Sequence, residues 1–261
     1  MSSWLFVPAT RLELLPKAQA ASPERVVIDL EDAISADAKS NARTDAIDAV
    51  RADPRLVIRI NHPRTREGRA DVVALEASGI CPDYVIVPKV ERASDIAGLA
   101  GRIAGQGVIP MVESAIALRN AGEIAAVEGV ATLSWGMADL ALAFRTTLNP
   151  LLTRQVRFVV AAAAFAAGCE APLDAPDLDF KDLIALDASV REARAFGFAS
   201  KLCIHPAQVS VVTSAFGASS DEIARAQRIL EAESAGAVTA VDGVMIDKPV
   251  FDAARQTVAR G

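Results

Sequence analysis

Val108-Ile109-Pro110-Met111-Val112-Glu113-Ser114 is a short apolar run that ends on a carboxylate, and Thr132-Leu133-Ser134-Trp135-Gly136-Met137-Ala138-Asp139 repeats that build. The same pattern extends in both directions along the chain. Ser3 to Pro8 leads to Arg11, Arg25 to Leu30 leads to Glu31 and Asp32, Leu56 to Asn61 carries Arg59, and Tyr84 to Pro88 leads to Lys89. Beyond the second run, a weaker Glu170 to Pro176 carries Asp174 and Lys201 to Ile204 leads to His205. Runs this short, rich in Val and Ile and followed by a polar residue, Pro or Gly, read as buried parallel strands. The longer alanine-rich, charged stretches between them read as helices. After Ser114, residues Ala117, Ala121, Ile124 and Ala125 share one helical face while Arg119 and Glu123 fall off it. Gly168 and Gly197 stand where the next two helices should stop.

Eight strand-then-helix units in 261 residues predict a (β/α)8 TIM barrel, a fold of about 250 residues whose reactive groups come from the C-terminal ends of its strands. A doubly wound open sheet is the rival. It explains neither a polar residue after nearly every run nor the lack of a glycine-rich turn after the first. Pro110 inside the fifth run and the short, proline-flanked seventh run fit the barrel least well. The barrel is expected over residues 1–236, with a C-terminal segment, residues 237–261, beyond it.

At 52% hydrophobic the chain has material for one large core. Its net charge of −6 argues against a nucleic-acid-binding surface. No signal-like start is evident, and the longest apolar block, Val159 to Ala167, is too short to cross a bilayer and reads as a helix face against the barrel. Cys81, Cys169 and Cys203 are scattered in apolar surroundings, which predicts reduced, buried thiols in a cytoplasmic protein with no zinc spacing. Gly98, Gly101, Gly105 and Gly107 precede a strand, whereas a dinucleotide loop would follow one. His205 ends a strand and can face a site; His62 reads equally well as a loop residue. No nucleophile elbow accompanies the serines.

Glu113 and Asp139, from adjacent strand ends with little sulfur or histidine nearby, make a hard oxygen pair suited to Mg²⁺ and an oxygen-rich ligand. Arg59, from another strand end, could hold a carboxylate or stabilise an enolate oxygen. A purely structural alternative has both acids capping helices and Arg59 paired with Glu31 or Asp32.

The ordered elements LFVPATR, VVIDLEDA, VIRIN, VPKVE, VESA, WGMADLA, KLCIHPAQV and VDGVMIDKP resemble the citrate lyase β-subunit and malyl-CoA lyase branch of the HpcH/HpaI aldolase family over nearly the whole chain. The resemblance implies Mg²⁺-dependent carbon–carbon lyase or Claisen-type chemistry on acyl thioesters, and a homotrimer or hexamer. It implies that Glu113 and Asp139 bind the metal, that Arg59 contacts substrate oxygens, and that Glu31 and Asp32 orient the arginine or metal-bound water. Phe6, Arg11 and Lys17 match positions that hold the CoA portion, with His205 near the thioester carrier. Asp247 matches an acid that reaches a neighbouring subunit's site and moves the proton at carbon. Ala138 replaces the acidic residue usual before the metal aspartate, altering what that loop offers the substrate. The partners implied are an acyl-CoA or acyl-carrier thioester and a 2-oxo acid. A class II pyruvate aldolase without a thioester, or a non-catalytic CoA- or metabolite-binding barrel, remain the alternatives.

Overall fold

Each of the eight apolar runs is a strand in the computed structural model, which describes residues 3–259 apart from residues 33, 148, 235–239 and 242–243. The strands are β1 (Ser3–Pro8), β2 (Arg25–Asp29), β3 (Val57–Arg59), β4 (Tyr84–Val87), β5 (Gly107–Val112), β6 (Ser134–Trp135), β7 (Leu173–Asp174) and β8 (Ser200–Cys203). They pair in chain order, all parallel, and β1 closes the barrel on β8.

Side-chain alternation along the strands divides inside from outside. Trp4, Val27, Val57, Tyr84, Ile86, Ile109, Met111, Leu173 and Leu202 form one buried cluster with Phe6 against it. Counting on by two from these inward positions leads to Asp29 and then Glu31 after Val27, to Arg59 after Val57, and to Glu113 after Met111. The polar residues that end the apolar runs are therefore carried to the mouth of the barrel. The opposite parity builds a second polar group on the outer side of the sheet. There Asp174, fully buried, accepts from Trp135 Nε1 at 2.9 Å, Arg157 Nη2 at 2.8 Å and Lys201 Nζ at 2.6 Å. Arg157 comes from the helix Pro150–Ala166 and also reaches Glu192 at 2.9 Å and Ser189 at 3.0 Å on the helix Leu183–Ala195.

Pro110 sits inside β5, opposite Val87. Val108 donates to Gly129 O and accepts from Ala131 N; two residues on, where Pro110 has no N–H, Ala131 O takes the Glu170 N–H at 2.9 Å. The missing donor thus leaves that carbonyl satisfied. The apolar stripe Ala117, Ala121, Ile124 and Ala125 is buried as expected, but the helix divides into Ala115–Arg119 and Ala121–Ala125. At the break, Asn120 Nδ2 donates to Glu91 O at 2.8 Å. Gly168 and Gly197 take the left-handed conformation past their helices, with φ of 74° and 94°. The block Val159 to Ala167 buries Val160, Ala161, Ala163 and Ala164, but leaves Phe165 exposed along with Leu151 and Phe158 of the same helix. Cys203 is buried as expected, Cys169 is half-buried, and Cys81, at the surface before β4, departs from the expectation.

Two compact units divide the chain, Met1–Thr213 and Ser214–Gly261. In the second, Ala226 and Ile229 of the helix Ser220–Ser234 pack with Ile246 and with Phe251 and Ala254 of the helix Lys248–Val258. A short antiparallel pair, Ala240–Val241 with Val244–Met245, lies between these helices in sequence. The boundary expected at residues 236/237 falls outside the described residues. Among the described residues no helix is long and apolar enough to cross a membrane.

Burial disfavours the Asp174 charge, but Lys201 and Arg157 outweigh it and hold the carboxyl below the usual carboxylate range. Its contribution to stability is therefore complete above the unfolded carboxylate's pKa and is lost as pH falls through the depressed folded value. Asp174→Ala leaves the buried Arg157 and Lys201 with only Glu192 and Asp177 as ion-pair partners and is expected to cost about 3 kcal/mol in denaturant unfolding at neutral pH, with the difference from the parent narrowing in acid.

Candidate active site

Arg59 is the hub of the barrel mouth. Its Nε and Nη2 donate to the two oxygens of Asp29, both at 2.7 Å, and its guanidinium carbon lies 4.6 Å from the centre of the Phe6 ring. Nη1 is 3.1 Å from Glu31 Oε2, a charge contact without hydrogen-bond alignment. Burial works against the charge of Arg59, but the Asp29 hydrogen bonds with Glu31 and Glu113 outweigh it and hold its pKa above the ordinary value. The expected pairing of Arg59 with Glu31 is present, while Asp32 pairs with Lys89, at 3.0 Å.

Lys89 follows Pro88 at the end of β4 and has a left-handed backbone, φ 55°, a conformation that costs a non-glycine residue energy. That geometry delivers its N–H to Glu113 Oε2 at 2.6 Å while its Nζ reaches Glu31 Oε1 at 2.7 Å. Glu113 is 6% exposed. Burial first, and then the charge of Glu31, push its carboxyl up to about 8 against the pull of the Lys89 N–H and Arg59. Gly136, the strand-end neighbour of Glu113, leaves room for it: a Cβ at 136 would stand 2.2 Å from Glu113 Oε1.

Neither acid of the expected metal pair caps a helix. Ser114, and not Glu113, caps Ala115–Arg119, accepting from Ala117 N at 3.1 Å. Asp139 lies in the first turn of Met137–Ala143, a helix with no side-chain cap, and has no hydrogen-bond or ion-pair partner among the described residues. Both acids line a cavity of about 670 Å³ that is also walled by His62, Arg64, Thr65, Lys89, Arg92 and Leu142. Asp29 and Glu31 engage Arg59, and Glu31 and Asp32 engage Lys89, so that no cationic side chain is paired with Glu113 or Asp139 among the described residues. No three His, Cys, Asp or Glu side chains among the described residues are grouped to hold a metal. The donor set suits a hard cation that takes one or two carboxylates and completes its shell with water and ligand oxygens.

Arg11, Lys17, Ala138 and His205 are not among the residues that line this cavity. Arg11 is exposed and paired with Glu13, and Lys17 is exposed on the helix Leu15–Ala20. His205 stacks on Phe180 at 4.6 Å and is outside the cavity lining. Ala138 is exposed in the first turn beside Asp139. Asp247 belongs to the second unit, where it caps Lys248–Val258 through Val250 N. Sequence reasoning assigned no role to Asp29, Lys89, His62 or Arg92. Asp29 was recoverable from its strand parity with Val27, and Lys89 from its place after a strand.

The profile of the HpcH/HpaI aldolase/citrate lyase family matches residues 2–206. A citrate lyase subunit beta-like protein of Mycobacterium tuberculosis is 36% identical, covering 98% of this chain and 94% of that protein. A (3S)-malyl-CoA thioesterase of Cereibacter sphaeroides is 32% identical over 99% of this chain and 93% of its own. The crystal structure of the protein CitE of M. tuberculosis with magnesium, acetoacetate and coenzyme A superposes with a TM-score of 0.89 at 35% identity, covering 99% of this chain and 97% of that one. The chain belongs to the HpcH/HpaI aldolase/citrate lyase family.

With its pKa raised from 4.5 to about 8, Glu113 gives the metal-free protein stability that is complete below pH 4.5 and lost as pH rises through 8. Glu113→Gln is expected to remove that loss, leaving the metal-free protein about 1–3 kcal/mol more stable than the parent at alkaline pH in thermal unfolding. Gly136→Ala should instead displace the Glu113 carboxyl and weaken Mg²⁺ binding in calorimetry by tenfold or more, the size of loss typical when a ligand's support is removed.

Proposed function

We propose that this member of the HpcH/HpaI aldolase/citrate lyase family is a Mg²⁺-dependent carbon–carbon lyase acting on a 3-hydroxy-carboxylic acyl thioester of the citryl, malyl or citramalyl type. Its products would be an acetyl-type thioester and a 2-oxo acid. The observation that carries this reading is the barrel mouth itself: Glu113 and Asp139 open on one cavity without a cationic partner, while Arg59 and Lys89 are taken up by Asp29, Glu31 and Asp32. The magnesium bound by the CitE structure and the thioester substrate in the malyl-CoA thioesterase's name support it.

Glu113 and Asp139 would hold Mg²⁺, which supplies a Lewis acid for the oxygens of the 2-oxo acid portion. Arg59, fixed from behind by Asp29, would stabilise negative charge on substrate oxygen as the hydroxyl proton passes to solvent, the carbonyl of the 2-oxo acid forms, and the carbon–carbon bond breaks with its electron pair passing into the thioester enolate. Lys89 and Glu31 hold the acids and the arginine in register. Asp32, tied to Lys89, would support the same set. Asp247, contributed by a neighbouring chain, would return a proton to the enolate carbon, or remove one in the condensing direction. Arg11 and Lys17 offer cations to the CoA phosphates, with Phe6 and His205 beside the thioester arm. An assembly of chains would need an apolar face, and the exposed Leu151, Phe158 and Phe165 on one helix provide one.

Incubation of the purified chain and Mg²⁺ with malyl-CoA, citramalyl-CoA and citryl-CoA is expected to release a 2-oxo acid from one of them. Glu113→Ala and Asp247→Ala should each lower that rate by at least about a hundredfold. Release of the free hydroxy acid with no 2-oxo acid would make the chain a thioesterase. Cleavage that persists without a thioester would favour the pyruvate aldolase, and tight CoA binding without turnover the binding barrel.

A further inference from the structure

Two hydrogen-bond donors on the wall of the cavity have no hydrogen-bond acceptor among the described residues. Arg92, just after Lys89 and Glu91, lines the cavity and is exposed, and its guanidinium has no hydrogen-bond or ion-pair partner among the described residues. His62 lines it too, on the loop after β3. Its Nδ1 accepts from Arg64 N–H at 3.2 Å, so the neutral ring carries its proton on Nε2. That Nε2 is 3.9 Å from Asp95 Oδ2, beyond hydrogen-bond reach.

The acids nearby are already engaged. Asp95 Oδ2 accepts the backbone N–H groups of Glu91 and Arg92 at 3.0 and 2.9 Å, and its Oδ1 pairs with Arg64 Nε at 2.7 Å. Glu91 Oε1 accepts from Ser114 Oγ at 2.8 Å. These contacts fix the loop backbone that carries Arg92 without using its side chain. The cavity therefore has two chemically different parts: the acids Glu113 and Asp139 from the ends of β5 and β6, and, from the loops after β3 and β4, Arg92 and His62 beside the acids Glu91 and Asp95, which are engaged by Ser114 and by Arg64 and the loop backbone.

We propose that Arg92 and His62 form an anion-recognition subsite for a second carboxylate on the 2-oxo acid portion of the substrate, so that the chain selects a 2-oxo dicarboxylate over a monocarboxylate. The inference rests on the Mg²⁺ and 2-oxo acid reading given under Proposed function. With the oxo end at Glu113, Asp139 and Arg59, the remainder of the acid would extend through the cavity toward β3 and β4. A planar guanidinium with no protein partner is the group best matched to a carboxylate there, and His62 Nε2–H adds a neutral donor.

The test is calorimetric titration of the Mg²⁺-loaded full-length chain with oxaloacetate and with pyruvate, which reads binding without turnover. The parent is expected to bind oxaloacetate about ten- to a hundredfold more tightly, the range for a hydrogen bond to a charged group. Arg92→Met should collapse that ratio toward one and Arg92→Lys should restore part of it. Equal affinities in the parent, or a ratio that Arg92→Met leaves intact, would overturn the subsite while the metal and oxo-acid reading stands. If neither acid binds in the presence of Mg²⁺, that reading fails and the subsite with it.

Discussion

The bidentate pair between Arg59 and Asp29 is the interaction on which the barrel mouth depends. A guanidinium this deeply buried would cost several kcal/mol if unpaired, and Asp29, two residues on from the core residue Val27, meets it squarely with two bonds of 2.7 Å. Because Asp29 consumes one negative charge with one positive, what remains is the imbalance among Glu31, Glu113, Asp139 and Lys89. Lys89 can offset only one of those three acids. Burial first and then the charge of Glu31 raise Glu113 to about 8, and a divalent cation is the simplest species that would offset both. The apolar contacts of Arg59 belong to the same design. Phe6 lies beneath its guanidinium and Met111 Sδ is 4.0 Å from Nη1, so the arginine is held by packing as well as by charge and keeps one orientation.

A second constraint acts on the outer side of the sheet. β6 and β7 are only two residues long, which gives them few ladder hydrogen bonds. The row of Trp135, Asp174 and Lys201, joined by Arg157 from the helix layer, supplies cross-strand bonding that such short strands lack. It also fixes Trp135, whose neighbour Gly136 packs against Glu113. Buried charge outside the barrel and reactive charge at its mouth are thus joined through a single residue step on β6.

Much of the architecture was legible because a parallel strand buried on both faces leaves an unmistakable apolar run, and because barrel strands present polar residues at one end only. Even the two-residue β7 could be located from Leu173 and Asp174. Pro110 looked like an obstacle because a sequence shows a missing N–H but not the carbonyl that would have received it; here Glu170 serves that carbonyl. The break at Asn120 was hidden for a similar reason, since the apolar stripe runs unbroken through it while the bond to Glu91 O is long-range. In the site, Glu113, Asp139 and Arg59 stood out as charges at strand ends. Lys89 had the same position, yet its decisive contribution is a backbone N–H in a left-handed conformation, which no side-chain pattern encodes. His62 and Arg92 lie in loops, where residue type alone says little about what a side chain faces.

That division between strands and loops carries a consequence for how such a site can change. Glu113 and Arg59 stand at or just beyond strand ends, and their geometry is enforced by neighbours with no freedom to move: the bent backbone of Lys89, the bare Cα of Gly136 and the locked carboxylate of Asp29. A substitution at any of these disturbs charge and packing at once. Arg92 is set on a loop whose backbone is held by Asp95 rather than by its own side chain, and His62 braces its own loop through Nδ1 while its Nε2 stays uncommitted. Replacing Arg92 removes one charge from the cavity wall and leaves every contact of the strand-end cluster in place. The exposed Ala138, beside Asp139, makes no contact with the Arg59 network. Chemistry fixed on the rigid barrel and selectivity placed on its loops are physically separable, so a chain can exchange one oxo acid for another without rebuilding the mouth that acts on it.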